Sequence, residues 1–300
     1  MRLKGLVLAT ALASLLLWAG SVGAQGIDTA MIEQVTGLKG AMNKAGDVFK
    51  VSAPRTDVKI TVDGLPLPPF MGVTSWAAFQ DAGGGQLLMM GDMVLFEDEV
   101  NPAMSAALNS GLQVTALHNH FFYDKPKVYL MHIGGQGSPD ALAGRVRKIL
   151  DTAKQIRQGR PEPAASFGGP PLPTENAITP QPIEAILGSP SETKDGMVKV
   201  TIGRQTSMHG TEVGKDMGVN TWAAFAGTDG NAVVDGDFAI TEDELQPVLR
   251  TLRQAGINIV AIHNHMTHED PRILFLHYWG RGKAEDLARA VKAALDQTKG

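Results

Sequence analysis

The chain writes much of its own sequence twice, and that repetition limits its fold more than any other feature. MGVTSWAAF from Met71 returns as MGVNTWAAF from Met217, 146 residues later. Gly91-Asp92 returns as Gly236-Asp237, EDEVNP as EDELQP, and LHNH at 117–120 as IHNH at 262–265. Pro126 and His132 reappear as Pro271 and His277. A sequence of this kind folds as one structural unit used two times, so each residue that carries chemistry should have a counterpart. Between the copies, residues 158–182 hold seven of the chain's 17 prolines, a composition that reads as an extended, semi-rigid linker. The expected organisation is a first repeat over 25–157, the linker over 158–182 and a second repeat over 183–300. With 300 residues, 43% of them hydrophobic, two compact domains are within reach.

The first 24 residues read as a signal peptide. Arg2 and Lys4 precede an apolar run from Leu6 to Trp18, and Val22 and Ala24 suit a cleavage site. No later segment approaches the roughly 20 apolar residues of a membrane span. The expectation is a periplasmic or secreted protein with no membrane span. The chain has no cysteine, which excludes disulfides and a cysteine-borne lipid anchor. Lys and Arg number 27 against 31 Asp and Glu, so nucleic acid is not an expected partner. A small molecule or a cell-envelope component is.

Periodicity in the first copy predicts strands at 48–52, 58–62, 74–79, 87–95, 112–118 and 127–133, which are rich in β-branched and large apolar residues. A helix capped by Asn101 and opened by Pro102 should end near Gly111. Another, opened by Ser138-Pro139, carries Leu142, Val146, Ile149 and Ala153 on one face. The fold class is α+β, a tandem duplication of a mostly antiparallel sheet with two helices per repeat.

The histidines carry the chemistry. In a strand, i and i+2 share a face, so His118 and His120 should point together, and a hairpin centred near Lys125 would set His132 across from His118. His263, His265 and His277 repeat the arrangement about Asp270. Three imidazoles from two strands suit zinc or copper with an open coordination position. The alternatives are a metal-free polar site and purely structural histidines. Asp92 and Asp237 sit in apolar strands where a carboxylate needs a partner. They are candidates for a further ligand, an imidazole anchor or a general base, or else mark a bulge. Trp76 and Trp222 offer rings for a sugar or belong to the core. Arg55 and Arg204 would clamp an anion or pair with nearby acids. Glu97 and Glu242 suit helix N-termini, and His209 and His268 belong to the second copy alone.

No serine nucleophile elbow, zinc-protease helix or dinucleotide fingerprint occurs. The ordered set of SWAAF or NTWAAF, Gly-Asp, EDE, LHNH or IHNH and a late His resembles the LppY/LpqO family, a bacterial group built on a domain of unknown function and often exported. The resemblance spans both repeats and implies export and duplication. Where members of that family are lipoproteins, this chain departs from them by lacking the anchoring cysteine. The expected function is divalent metal binding, zinc or copper, with metal-dependent hydrolysis in the envelope as its catalytic form. A non-catalytic glycan or small-ligand module is the alternative, and a structural role for packed repeats a third reading.

Overall fold

The structure, a computed structural model, describes residues 26–299; the expected signal peptide, residues 1–24, lies outside the described residues. The first repeat runs α1 (Thr29–Thr36), β1 (Gly40–Met42), β2 (Val48–Pro54), β3 (Thr61–Val62), β4 (Leu65–Pro66), β5 (Thr74–Gly83), β6 (Gln86–Phe96), α2 (Glu97–Asn109), β7 (Gln113–Asn119), β8 (Asp124–Lys125), β9 (Val128–Gly137) and α3 (Pro139–Gly159). The second runs α4 (Pro180–Leu187), β10 (Ser191–Lys194), β11 (Met197–Gly203), β12 (Thr206–Met208), β13 (Thr211–Val213), β14 (Asn220–Thr228), β15 (Asn231–Thr241), α5 (Glu242–Gln254), β16 (Asn258–His263), β17 (Glu269–Asp270), β18 (Ile273–Gly282) and α6 (Ala284–Leu295). The mostly antiparallel α+β class holds. Each repeat has three helices where two were expected, because α1 and α4, each ended by a left-handed glycine, Gly37 or Gly188, are too short to show a helical period.

Twelve strands form one sheet in the order β1-β2-β5-β6-β9-β7-β16-β18-β15-β14-β11-β10. From the centre outward both halves follow the same series, as a pseudo-twofold axis between β7 and β16 would place them. The repeats are therefore not separate bodies. One apolar cluster runs through both, and the helices pack on one face of the sheet through residues such as Met104, Leu142, Leu249 and Val291.

The joint shows how two edges were merged. β7 and β16 meet at the pairing Leu117↔Ile262, and away from it the facing backbone groups need other partners. A side-chain amide supplies one donor and one acceptor, as a strand residue does. The Asn101 amide accepts from the Ile259 N–H at 2.7 Å and donates to the Ile259 carbonyl at 3.1 Å. Gln246, its counterpart in EDELQP, accepts from the Val114 N–H at 3.1 Å and donates to its carbonyl at 2.8 Å. Each helix thus stitches the other repeat's central strand.

Asn101 is consequently no helix cap. α2 begins at Glu97 and holds Pro102 inside it, as α5 holds Pro247. The start is set by the third acid of each EDE, which reaches back as in a capping box: Glu99 accepts from the Phe96 N–H at 3.0 Å and Glu244 from the Thr241 N–H at 2.8 Å.

Two three-stranded sheets, β4-β3-β8 and β13-β12-β17, cover the ends of the helix-free face. Each is built on a two-residue hairpin with both residues at positive φ, Asp63-Gly64 and His209-Gly210, the geometry of a primed turn. The strand expected at 58–62 ends at the Asp63-Gly64 turn as expected but is shortened to Thr61–Val62 at its start, where the chain bends at 57–58.

Residues 160–179 are laid against both repeats rather than held out as a spacer: Ala164 donates to Asp98 of α2 at 3.0 Å, and further contacts are to the second repeat. Asn176 accepts from the Gly227 N–H at 2.8 Å, Ala177 bridges Thr228, Ile178 is buried, and Arg281 donates to the carbonyls of Gly168 and Pro170.

Candidate metal centre

Alternation in the strands sends one row of polar side chains to the helix-free face of each half. Trp76, Asp92, His132 and Ala116 lie side by side across β5, β6, β9 and β7. Trp222, Asp237, His277 and Ala261 repeat the row across β14, β15, β18 and β16. The His118 and His263 positions are one step along: His118 faces Leu130 and His263 faces Phe275. The expected register was therefore off by two residues, because β8 and β17 are drawn into the small sheets instead of extending a simple hairpin. Parity is unaffected, so the histidines still share a face and meet diagonally. Neither strand continues to the third histidine. β7 ends at Asn119 and β16 at His263, leaving His120 and His265 in loops.

In the second repeat the donors converge. His265 Nε2 lies 3.1 Å from His263 Nε2 and 3.4 Å from Asp237 Oδ2. His277 Nε2 is 3.9 Å from the same carboxylate oxygen, and its ring stacks on His263 with centroids 4.9 Å apart. Among the described residues, Asp237, His263 and His265 form the group whose ligand atoms all fall within 4.8 Å of one another. His265 is placed by Phe275, on which its ring lies at 3.4 Å between centroids and 9° between planes. The Nδ1 of His277 faces the Gly236 carbonyl at 3.3 Å; a proton there leaves Nε2 free to ligate.

The electrostatics set the charge state of these donors. Asp237 is 1% exposed, and burial pushes its carboxyl up to about 6 against the pull of His277. Burial, then His277 and His265, bring His263 down to about 4. At neutral pH the carboxylate is ionised and this imidazole neutral, the forms that bind metal. Asp237 Oδ1 and His263 Nδ1 are buried without a hydrogen-bond partner, and such groups call for an explanation.

The first repeat has the same residues in a looser arrangement. His118 Nε2 and His132 Nε2 are 3.0 Å apart, and His118 Nδ1 faces the Asn119 carbonyl at 2.9 Å. Asp92 Oδ1, also buried and without a hydrogen-bond partner, is 3.9 Å from His132 Nδ1. Burial raises the Asp92 carboxyl against the pull of His132, His118 and His120. His120 turns toward Gly72, where an added Cβ would meet its ring at 2.8 Å, and its centroid is 6.4 Å from that of His118.

The remaining candidates are engaged elsewhere. Arg55 bonds Glu99 at 2.7 and 3.1 Å, Asp57 and the Val94 carbonyl. Arg204 bonds Glu244 at 2.6 and 2.9 Å and the Ala239 carbonyl. Lys50 lies over the Trp76 ring at 4.0 Å and Lys199 over Trp222 at 4.5 Å, so a cation already occupies a face of each indole. Glu97 and Glu242 sit in the first turns of α2 and α5. His209 and His268 face each other across an exposed turn, centroids 6.1 Å apart. Phe275 was not singled out from sequence, although its replacement of Leu130 at a matched position was readable.

A family model described as Domain of Unknown Function (DUF1259) matches residues 30–152 and again residues 181–297. No curated protein matches the sequence. A solved structure, a trimeric bacterial microcompartment shell protein PduB, aligns over 86% of this chain and 89% of its own at 13% identity, with a TM-score of 0.20. No helix among the described residues is long and apolar enough to cross a membrane.

Proposed function

We propose, from the premise that this chain belongs to the family described as Domain of Unknown Function (DUF1259), that it is an exported protein binding zinc or copper through Asp237, His263 and His265. The spacing of the donors carries this reading. Ligands held at about 2.0–2.1 Å in a tetrahedron lie about 3.3 Å from one another, and the 3.1 and 3.4 Å separations around His265 fit that edge length. Two imidazoles and a carboxylate form a donor set common to zinc, and imidazole also suits copper. His277 stands next to this set and either completes it or steadies His263 by stacking. Bound there, zinc would polarise a substrate carbonyl or phosphoryl oxygen and supply a water with a pKa near 7. Hydrolysis of an envelope substrate is the reaction class that fits. In this reading Asp237 is a ligand and not a general base, and the buried strand row keeps it from turning toward bulk water.

Elemental mass spectrometry of the untagged protein tests the reading. The expected result is stoichiometric zinc or copper that disappears in a folded His263→Ala/His265→Ala variant. A metal-free protein that also takes up neither added ion overturns it.

A further inference from the structure

Beside the metal centre lies a recess of about 420 Å³ that duplication does not explain. Its walls come from both repeats and from the segment between them: Glu97 of α2, Tyr129 of β9, Phe167, and Asp235, His277 and Trp279 of β15 and β18. The counterparts of Asp235, Trp279 and Tyr129 in the other repeat are Met90, Gly134 and Leu274. Phe167, from the connecting segment, has no counterpart. The aromatic and acidic side chains that shape this recess, Tyr129, Trp279 and Asp235, therefore lack like counterparts across the pseudo-twofold.

Three aromatic residues and two acids line it, and no lysine or arginine does. The rings of Phe167 and Trp279 are nearly parallel, 16° between planes with centroids 6.5 Å apart, and Phe167 is 57% exposed. Glu97 and Asp235 are both exposed. Among the described residues neither has an ion-pair partner, whereas Glu242, the counterpart of Glu97, lies 3.8 Å from Arg272.

We propose that this recess binds an organic cation, a substituted or quaternary ammonium group, against the rings of Tyr129, Phe167 and Trp279, with Asp235 and Glu97 as counter-charges. Ring faces attract a cation that carries its own apolar surface, and the two carboxylates, which feel Lys127 and Lys199 only without a salt bridge, leave a direct cationic partner for the ligand to supply. An anionic ligand would meet two like charges. A neutral apolar ligand would desolvate those charges without compensating them. His277 forms the wall shared with the metal centre, so the cation would sit next to that centre. The recess does not require a bound metal.

Calorimetric titration of the whole protein with choline and tetramethylammonium, in the presence of a chelator, tests the proposal. Dimethylbutanol, the neutral isostere of choline, and N-acetylglucosamine serve as comparison ligands. The expected result is binding of both cations, with dimethylbutanol at least about tenfold weaker because the cation–π and charge contributions are missing. Asp235→Asn and Phe167→Ala, shown to be folded by an unchanged melting temperature, should each weaken choline about two- to fivefold on the same grounds. Equal binding of dimethylbutanol, binding of the sugar in place of the cations, or no binding at all overturns the proposal. Because the titration is run without metal, its failure leaves the metal reading untouched, and the failure of that reading leaves this one standing.

Discussion

The loops after β7 and β16 start from the same His-Asn-His and take their last histidine to different places. His265 lies flat on Phe275 and comes within 3.4 Å of Asp237. His120 rests beside Gly72 and Phe121, and the residue matching Phe275 is Leu130. Duplication copied the strand register, which fixes Asp92 and His132 as firmly as Asp237 and His277. It did not copy the surface that positions the loop histidine. A candidate ligand set can thus be written twice in sequence and, among the described residues, drawn within 4.8 Å once.

The largest effects should come from the ion pairs under the two sheets. Glu99 is 0% exposed and meets Arg55 and Arg157, whereas Glu244, 2% exposed, meets Arg204. Removing one partner of a buried pair strands the other, at about 3–5 kcal/mol. Glu99→Gln and Glu244→Gln should each lose stability of that order in denaturant titrations, and Glu244→Gln should lose more, because Arg204 keeps no other carboxylate among the described residues whereas Arg55 keeps Asp57 and Arg157 keeps Asp98. Equal losses would erase that difference between the repeats.

Next in size are the amide stitches. Asn101→Leu leaves the buried N–H and C=O of Ile259 without partners, at about 1–3 kcal/mol for each group. Gln246 is only half-buried, so water can replace part of its role and Gln246→Leu should cost less. Urea midpoints of the two variants, compared at equal slope, measure the gap; the reverse order would contradict the assignment.

Phe275→Leu tests the loop directly by giving the second repeat the residue of the first. Supporting side chains around a metal site are worth about 10–100-fold in affinity. The variant should lose about that much zinc or copper affinity in a competition assay while Leu130→Ala leaves it unchanged. An unaffected Phe275→Leu would mean that His265 finds its place without the ring.

The last contrast is the pH response of metal-free protein. Burial raises the Asp237 carboxyl to about 6, above the roughly 3.9 of an unfolded chain, so its contribution to stability is complete below pH 4 and is lost as pH rises through 6. Glu244 acts in the opposite sense. Burial would raise it, but hydrogen bonds from Arg204 and from the Lys299 and Thr241 amides bring it down to about 2. Its contribution is present above about 4.3 and fades as pH falls toward 2. Asp237→Asn should remove the first trend and Glu244→Gln the second in melting temperatures recorded from pH 2 to 7.

Much of this was legible in the sequence. The duplication and the strand faces, including the face shared by the histidines and the two aspartates, follow from matched motifs and from a period of two, which a two-residue slip in register does not disturb. Asp63-Gly64 carries a hairpin signal that a strand reading of 58–62 passes over. What was not legible depends on the joint. Asn101 followed by Pro102 has the local look of a helix start, and only the presence of a second repeat across β7 and β16 turns that amide inward. Likewise Arg55 and Arg204 have the chemistry of an anion clamp, but the burial of Glu99 and Glu244 claims them.

The most direct test of the difference between the repeats is the number of tight metal sites per chain, counted by chelator-competition titration of the wild type, Asp92→Asn and Asp237→Asn. One tight site, kept in Asp92→Asn and lost in Asp237→Asn, is the expected result. Two equal sites, or a tight site that survives in Asp237→Asn, would contradict it.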